Sequence, residues 1–133
     1  MFTLSIVTQE KIILEQGVSS VIAPGSEGYL GILTNHAPLI TALVPGKLTI
    51  KDSEGKESVF AISGGFLEVS NNTATILADS VEPAVEIKIS RAEAAWKRAM
   101  ARLQHKDAGV DVERAAKAKL RAENRLRIFR ENQ

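Results

Sequence analysis

The sequence predicts an α+β chain whose two kinds of element are segregated. An N-terminal antiparallel β-sandwich, or flattened barrel, is expected over residues 1–85, and an antiparallel two-helix hairpin over residues 86–133. Three observations predict this. Up to Ala78, short β-favouring runs recur with turn residues between them and no helical period. After Ser90, apolar residues fall at helical spacing instead. Charge divides at the same place: residues 1–89 hold 5 Lys, no Arg and 10 acidic residues, net −5, while residues 90–133 hold 12 Lys or Arg and 6 acidic residues, net +6. Such asymmetry argues for two parts with different partners.

The elements follow in order. Phe2, Leu4 and Ile6 alternate with Thr3 and Ser5, the period of a half-buried strand. Further strands are expected at residues 11–14, 18–23, 29–33, 39–43, 47–51, 56–62, 66–70 and 73–78, with turns at Pro45-Gly46, Asp52-Ser53-Glu54-Gly55, Ser63-Gly64-Gly65 and Asn71-Asn72. Residues 81–89, with Pro83, read as a connector. Ser90 and Glu93 fit a capping box, so a helix is expected over residues 90–104 with Ala92, Trp96, Ala99 and Leu103 on one face. Lys106-Asp107-Ala108-Gly109 is polar and carries a helix-stopping glycine, and Asp111 can cap a second helix striped by Val112, Ala115, Ala122, Leu126 and Phe129. Each CH₂ left unburied forgoes about 0.8 kcal/mol, so this alanine-rich seam should hold the hairpin less firmly than a leucine seam would. The hairpin is therefore expected to detach.

Composition excludes several kinds of chemistry. A length of 133 residues and 44% apolar content suit one domain with an appendage. The chain has no cysteine, which removes thiolate metal sites, disulfides and a cysteine nucleophile. No basic leader precedes an apolar run and no apolar stretch approaches the ~18 residues of a membrane span, so a soluble chain without an export signal is expected. Residues 24–39 pack three glycines, two prolines, His36 and Tyr29 between apolar runs, and admit three readings: phosphate loop, active-site loop or docking loop. Gly46-Lys47 lacks the Walker spacing, since Thr41 stands where a glycine is required and Leu48 follows the lysine. His36 and His105 are the only histidines, so no catalytic residue and no metal site is expected. Asn71-Asn72-Thr73 reads as a hairpin turn rather than a glycosylation site. The basic helices fit a solvated surface, a nucleic-acid-binding face, or a switchable arm that meets acidic protein or an anion, and their chemistry alone leaves all three open.

Four runs carry a resemblance: residues 24–33 (Pro-Gly-Ser-Glu-Gly-Tyr-Leu-Gly-Ile-Leu), His36-Ala37-Pro38-Leu39, residues 63–69 (Ser-Gly-Gly-Phe-Leu-Glu-Val), and Thr75-Ile76-Leu77-Ala78-Asp79. Together they resemble the epsilon subunit of bacterial and chloroplast-type F-type ATP synthases, over essentially the whole chain. The resemblance implies a non-catalytic rotor part of the central stalk. The sandwich would bind the gamma subunit, with His36 and Pro38 at that interface, while Ser26, Glu27, Gly28, Tyr29, Leu30 and Gly31 would form a loop docking on the ring of c subunits. Tyr29 stands where some relatives carry an acid, so stacking or hydrogen bonding would replace an ion pair there. The helices would extend along gamma, about 60 Å if continuous, and restrain ATP hydrolysis through Arg114, Lys117, Arg121 and Arg125 on the catalytic subunits. Some relatives bind ATP through an Ile-Asp-x-x-Arg-Ala motif. This chain reads Ile87-Lys88-Ile89-Ser90-Arg91-Ala92, with lysine for the aspartate, so Ile87, Arg91, Ala92, Arg98, Arg121 and Arg125 imply a weak or lost nucleotide site. No cofactor is expected, ATP being at most a weak regulatory ligand. The implied location is peripheral, on the cytoplasmic face of a bacterial cell membrane or the stromal face of a thylakoid. The alternative is a free-standing adaptor that binds nucleic acid or anions through its basic helices.

Overall fold

The computed structural model describes residues 1–104 and 111–131. His105 and the connection expected at residues 106–109 lie outside the described residues. The alternating runs become ten strands: β1 (Phe2–Val7), β2 (Ile12–Val18), β3 (Ser20–Gly25), β4 (Gly28–Leu33), β5 (Leu39–Leu43), β6 (Gly46–Lys51), β7 (Glu57–Ile62), β8 (Gly65–Ser70), β9 (Thr73–Ala78) and β10 (Val81–Pro83). They pair in the order β10-β7-β6-β3-β5-β8-β9-β1-β2, with β4 also on β3.

The ribbon turns where β3 meets β5, a junction with a single register pair, Gly25 opposite Leu43. A Cβ on Gly25 would stand 2.6 Å from Leu30 Cδ2 and 2.8 Å from the Gly28 carbonyl oxygen, so only glycine fits. Both halves of the ribbon supply one core, with Leu4, Ile6, Leu67 and Ile76 from one and Val21, Leu48, Ile50 and Ile62 from the other. Asn71 and Asn72 make the β8–β9 turn at φ +49° and +57°, the left-handed conformation that asparagine tolerates.

Two features depart from expectation. β1 pairs antiparallel with β2 but parallel with β9, so the sandwich is not antiparallel throughout. No tight turn joins β1 to β9, and a long excursion through the other strands permits either direction. Residues 81–83, expected as connector, form a strand on β7, with Val81 opposite Ile62 and Pro83 opposite Phe60. Pro83 is tolerated because it ends an edge strand and owes the sheet no N–H.

The chain divides between Pro83 and Ala84 into two compact units. In the second, a 3₁₀ turn (Ala84–Glu86) is followed by α1 (Ile89–Gln104) and α2 (Val112–Glu131). The Lys88 carbonyl accepts the amides of Arg91 and Ala92 at 3.1 Å each, so Lys88 caps α1 and Ser90 lies within the first turn. The expected Ser90–Glu93 box is not the cap. Ile87 is buried just before the helix and Ile89 half-buried on its first turn. Burial of an Ile side chain outweighs the roughly 1 kcal/mol that a serine cap supplies.

α2 begins as expected, with Asp111 Oδ1 accepting the Arg114 amide at 2.9 Å and the Asp111 carbonyl accepting Ala115 N at 3.0 Å. Ala92, Ala99, Ala115, Ala122 and Leu126 are buried, while Trp96, Leu103 and Phe129 are half-buried. Val112 is 43% exposed, since it opens the helix about 60° off the Ala115–Ala122 line. Asn124 and Ile128 are also buried, about half a turn away from that line. α2 is thus covered on a second side that its apolar stripe did not reveal.

Candidate docking surfaces

The stretch expected as a loop at residues 26–31 is mostly strand. β3 and β4 form a hairpin with Gly25 opposite Gly28, so only Ser26 and Glu27 lie in the turn, while Gly28, Tyr29, Leu30 and Gly31 belong to β4. Gly28 stands at φ +129°, a value that side chains disfavour. The Tyr29 hydroxyl accepts the Lys47 amide at 3.0 Å and ties this hairpin to the start of β6. Gly31 has open space where a Cβ would project. The result is a braced hairpin with an exposed acidic tip.

The segment between β4 and β5 holds His36, half-buried, and Pro38, exposed. His36 N donates to the Leu33 carbonyl at 3.1 Å, and its Nδ1 lies 2.7 Å from the Ala37 carbonyl oxygen. The segment leads directly into β5, whose outer face is apolar. There Ala42 is opposite Phe66, Phe66 opposite Leu77, Leu77 opposite Val7, and Val7 opposite Ile12. Directly paired residues share a face, so these five side chains form one row across five strands. Phe66 is 59% exposed, Leu77 55% and Ile12 60%, and Ile40, two residues along β5, is 75% exposed. In the neighbouring row Ile40 is followed by the polar Glu68, Thr75, Ser5 and Glu15. Such an exposed apolar stripe is a candidate docking surface.

In the helical unit, Glu93, Trp96 and Lys97 of α1 and Glu123, Leu126, Arg127 and Arg130 of α2 line one cleft of about 390 Å³. The early part of α1 therefore lies beside the late part of α2, and the helices run antiparallel. The cleft is lined by three cations and two carboxylates beside Trp96 and Leu126. At 100° per residue, Arg91, Arg98, Arg114, Arg121 and Arg125 fall on the other flank of the Ala92–Ala99 and Ala115–Ala122 lines. Arg91, Arg98, Arg114 and Arg121 are exposed and Arg125 half-buried, whereas Ile87 and Ala92 are buried and offer a ligand little surface. Lys117 pairs with Glu113 at 3.4 Å in a solvent-exposed bridge of little energetic weight. Among the described residues, no helix is long and apolar enough to cross a membrane.

Residues 1–84 match the family described as ATP synthase, Delta/Epsilon chain, beta-sandwich domain. The chain belongs to the ATP synthase epsilon family. An ATP synthase epsilon chain of Desulforamulus reducens is 46% identical over 124 residues, 93% of each chain. One from Moorella thermoacetica is also 46% identical over 124 residues, 93% of this chain and 92% of that one. Among solved structures, a chain of the Euglena gracilis mitochondrial ATP synthase, in an assembly of OSCP, F1 and c-ring, superposes with a TM-score of 0.72 at 29% identity, over 96% of this chain and 76% of that one. A chain from the central stalk and c-ring of the Tetrahymena thermophila mitochondrial ATP synthase shares the fold, with a TM-score of 0.62 at 19% identity over 98% of this chain and 94% of that one. As an epsilon chain, the protein is a non-catalytic subunit of its complex.

For this epsilon chain, the apolar row is the feature that sequence reasoning missed. Its signal was present in the adjacent apolar pairs Ile12-Ile13, Leu39-Ile40, Phe66-Leu67 and Ile76-Leu77, each of which breaks the two-residue alternation. One member of such a pair must face outward. Only the register shows that Ile12, Phe66 and Leu77 line up through Val7, with Ile40 beside them opposite Glu68.

Proposed function

We propose that this epsilon chain is a rotor subunit of a proton-translocating ATP synthase, which joins gamma to the c ring and restrains ATP hydrolysis through its helices. The observation that carries the coupling half is the row formed by Ala42, Phe66, Leu77, Val7 and Ile12 on the outer face of the sandwich. Gamma docks on this face, with His36 and Pro38 at the end of β5 that carries the exposed Ile40. The Ser26–Glu27 tip and Tyr29 meet the c ring at the end of the braced hairpin. The whole subunit is peripheral to its membrane, on the side that carries the catalytic head.

The regulatory half rests on the second unit. Its exposed cations at Arg114, Lys117 and Arg121, with Arg125, meet acidic surface on the catalytic subunits when the helices extend. Arg91, Arg98, Arg121 and Arg125 share one flank of the hairpin, which suits a phosphate chain, and Lys88 leaves that flank without the carboxylate of the nucleotide motif. ATP binding is accordingly weak.

The docking claim is tested by the double substitution Phe66→Glu and Leu77→Glu in the assembled complex. Both side chains are exposed, so the sandwich should fold while epsilon no longer co-purifies with gamma. Unchanged co-purification by the folded variant would remove this surface from the interface.

A further inference from the structure

We infer that Asn72 is the positioning residue for the 35–38 segment that leads into the outer face of β5, a role for the β8–β9 turn beyond reversing the chain. This rests on the docking reading above for its functional consequence, and on geometry alone for the positioning itself.

Asn71 and Asn72 both adopt the left-handed conformation that a two-residue hairpin turn requires, at φ +49° and +57°. Glycine would meet that backbone demand at either position equally well. The side chain of Asn72 does something glycine cannot. Its Oδ1 accepts the Asn35 amide at 2.8 Å, 37 residues away, and its Nδ2 donates to the Met1 carbonyl at 3.0 Å, 71 residues away. Its own carbonyl accepts the Thr3 amide at 3.3 Å. One residue thereby ties together the approach to β1, the β8–β9 turn and the segment between β4 and β5.

The segment held in this way needs holding. Asn35 itself sits at φ +60°, an uncommon conformation outside glycine, with its amide directed to Asn72. His36, Ala37 and Pro38 follow, and then Ile40 and Ala42 emerge on the apolar face. Ile40, near the start of β5, is the outward apolar residue nearest the staple, while Ala42, Phe66 and Val7 lie toward the other ends of β5, β8 and β1. Fixing Asn35 against the turn therefore sets the path by which the chain enters the docking face. An interface prepared before binding avoids the cost of ordering that segment on contact.

Three variants of the full chain separate the amide from the turn. Asn72→Gly keeps the backbone conformation and removes both side-chain bonds, Asn72→Asp keeps the acceptor for Asn35 and loses the donor to Met1, and Asn71→Gly is the matched turn control. Amide exchange at Asn35, followed by NMR, should accelerate about five-fold in Asn72→Gly, the factor expected for loss of one exposed hydrogen bond, and stay near wild type in the other two. Affinity for purified gamma should fall by a similar factor in Asn72→Gly alone. Unchanged Asn35 exchange in Asn72→Gly, or equal acceleration in Asn71→Gly, overturns the positioning role. Accelerated exchange with unaltered gamma affinity overturns its link to docking. That outcome differs from failure of the docking reading, which the Phe66→Glu and Leu77→Glu pair reports independently.

Discussion

The Tyr29 hydroxyl reaches the Lys47 amide across the sandwich edge, and Gly46 beside it is the residue that lets it do so. A Cβ at position 46 would lie 2.5 Å from Pro24 Cβ and 2.9 Å from the Tyr29 hydroxyl oxygen. Gly46→Ala should therefore cost about 1–3 kcal/mol through forced backbone shifts, read as a lower urea midpoint for the sandwich. Tyr29→Phe should cost under about 1 kcal/mol, because water can replace an exposed hydroxyl at the Lys47 amide. The family run makes Tyr29 an expected docking residue, and the structure shows its hydroxyl tying β4 to the start of β6. No spacing rule links residues 29 and 47, which meet only because β3 separates β4 from β6. Lys88 shows the opposite case, a local rule broken in view of the sequence. A lysine caps α1 and Arg91 follows in a first turn that holds no acid, both at the positive end of the helix dipole. Lys88→Asp should stabilise α1 by about 0.5–2 kcal/mol, seen as a higher melting midpoint for the helical circular-dichroism signal.

At the scale of elements, the strands were legible wherever alternation was clean, and β5 and β9 occupy the residues expected of them. β10 was hidden because three residues ending in proline carry too little pattern, and only the open edge of β7 makes a strand of them. Helix starts divide the same way. Asp111 announced α2 because a carboxylate can close on the Arg114 amide without help from elsewhere. Asp111→Ala should cost about 0.5–2 kcal/mol and raise amide exchange in the first turn of α2. Ser90 offered an equally good local signal for α1, but with Ile87 buried the cap falls two residues earlier, at Lys88. Local chemistry decides a helix end only where tertiary burial does not compete with it.

At the scale of the molecule, two compact units follow from a chain whose composition changes between them. Deleting everything after Val85 should leave the sandwich folded and the complex assembled while raising ATP hydrolysis, measured on the purified synthase. Unaltered hydrolysis would sink the regulatory half of the proposal. The alanine seam further predicts that amides of α1 and α2 exchange faster than those of β1, β8 and β9, whose Leu4, Ile6, Leu67 and Ile76 are fully buried. By itself, the sequence determined the fold class, the opposite charges of the β and α segments and the family, because periodicity, turn residues and charge are local properties that survive without coordinates. The tertiary structure alone decided the parallel β1–β9 pair, the second buried side of α2, the row of apolar side chains across five strands and the staple at Asn72. Each of those depends on which residues far apart in the chain come to lie opposite one another, and register between distant strands is written in no single stretch of sequence.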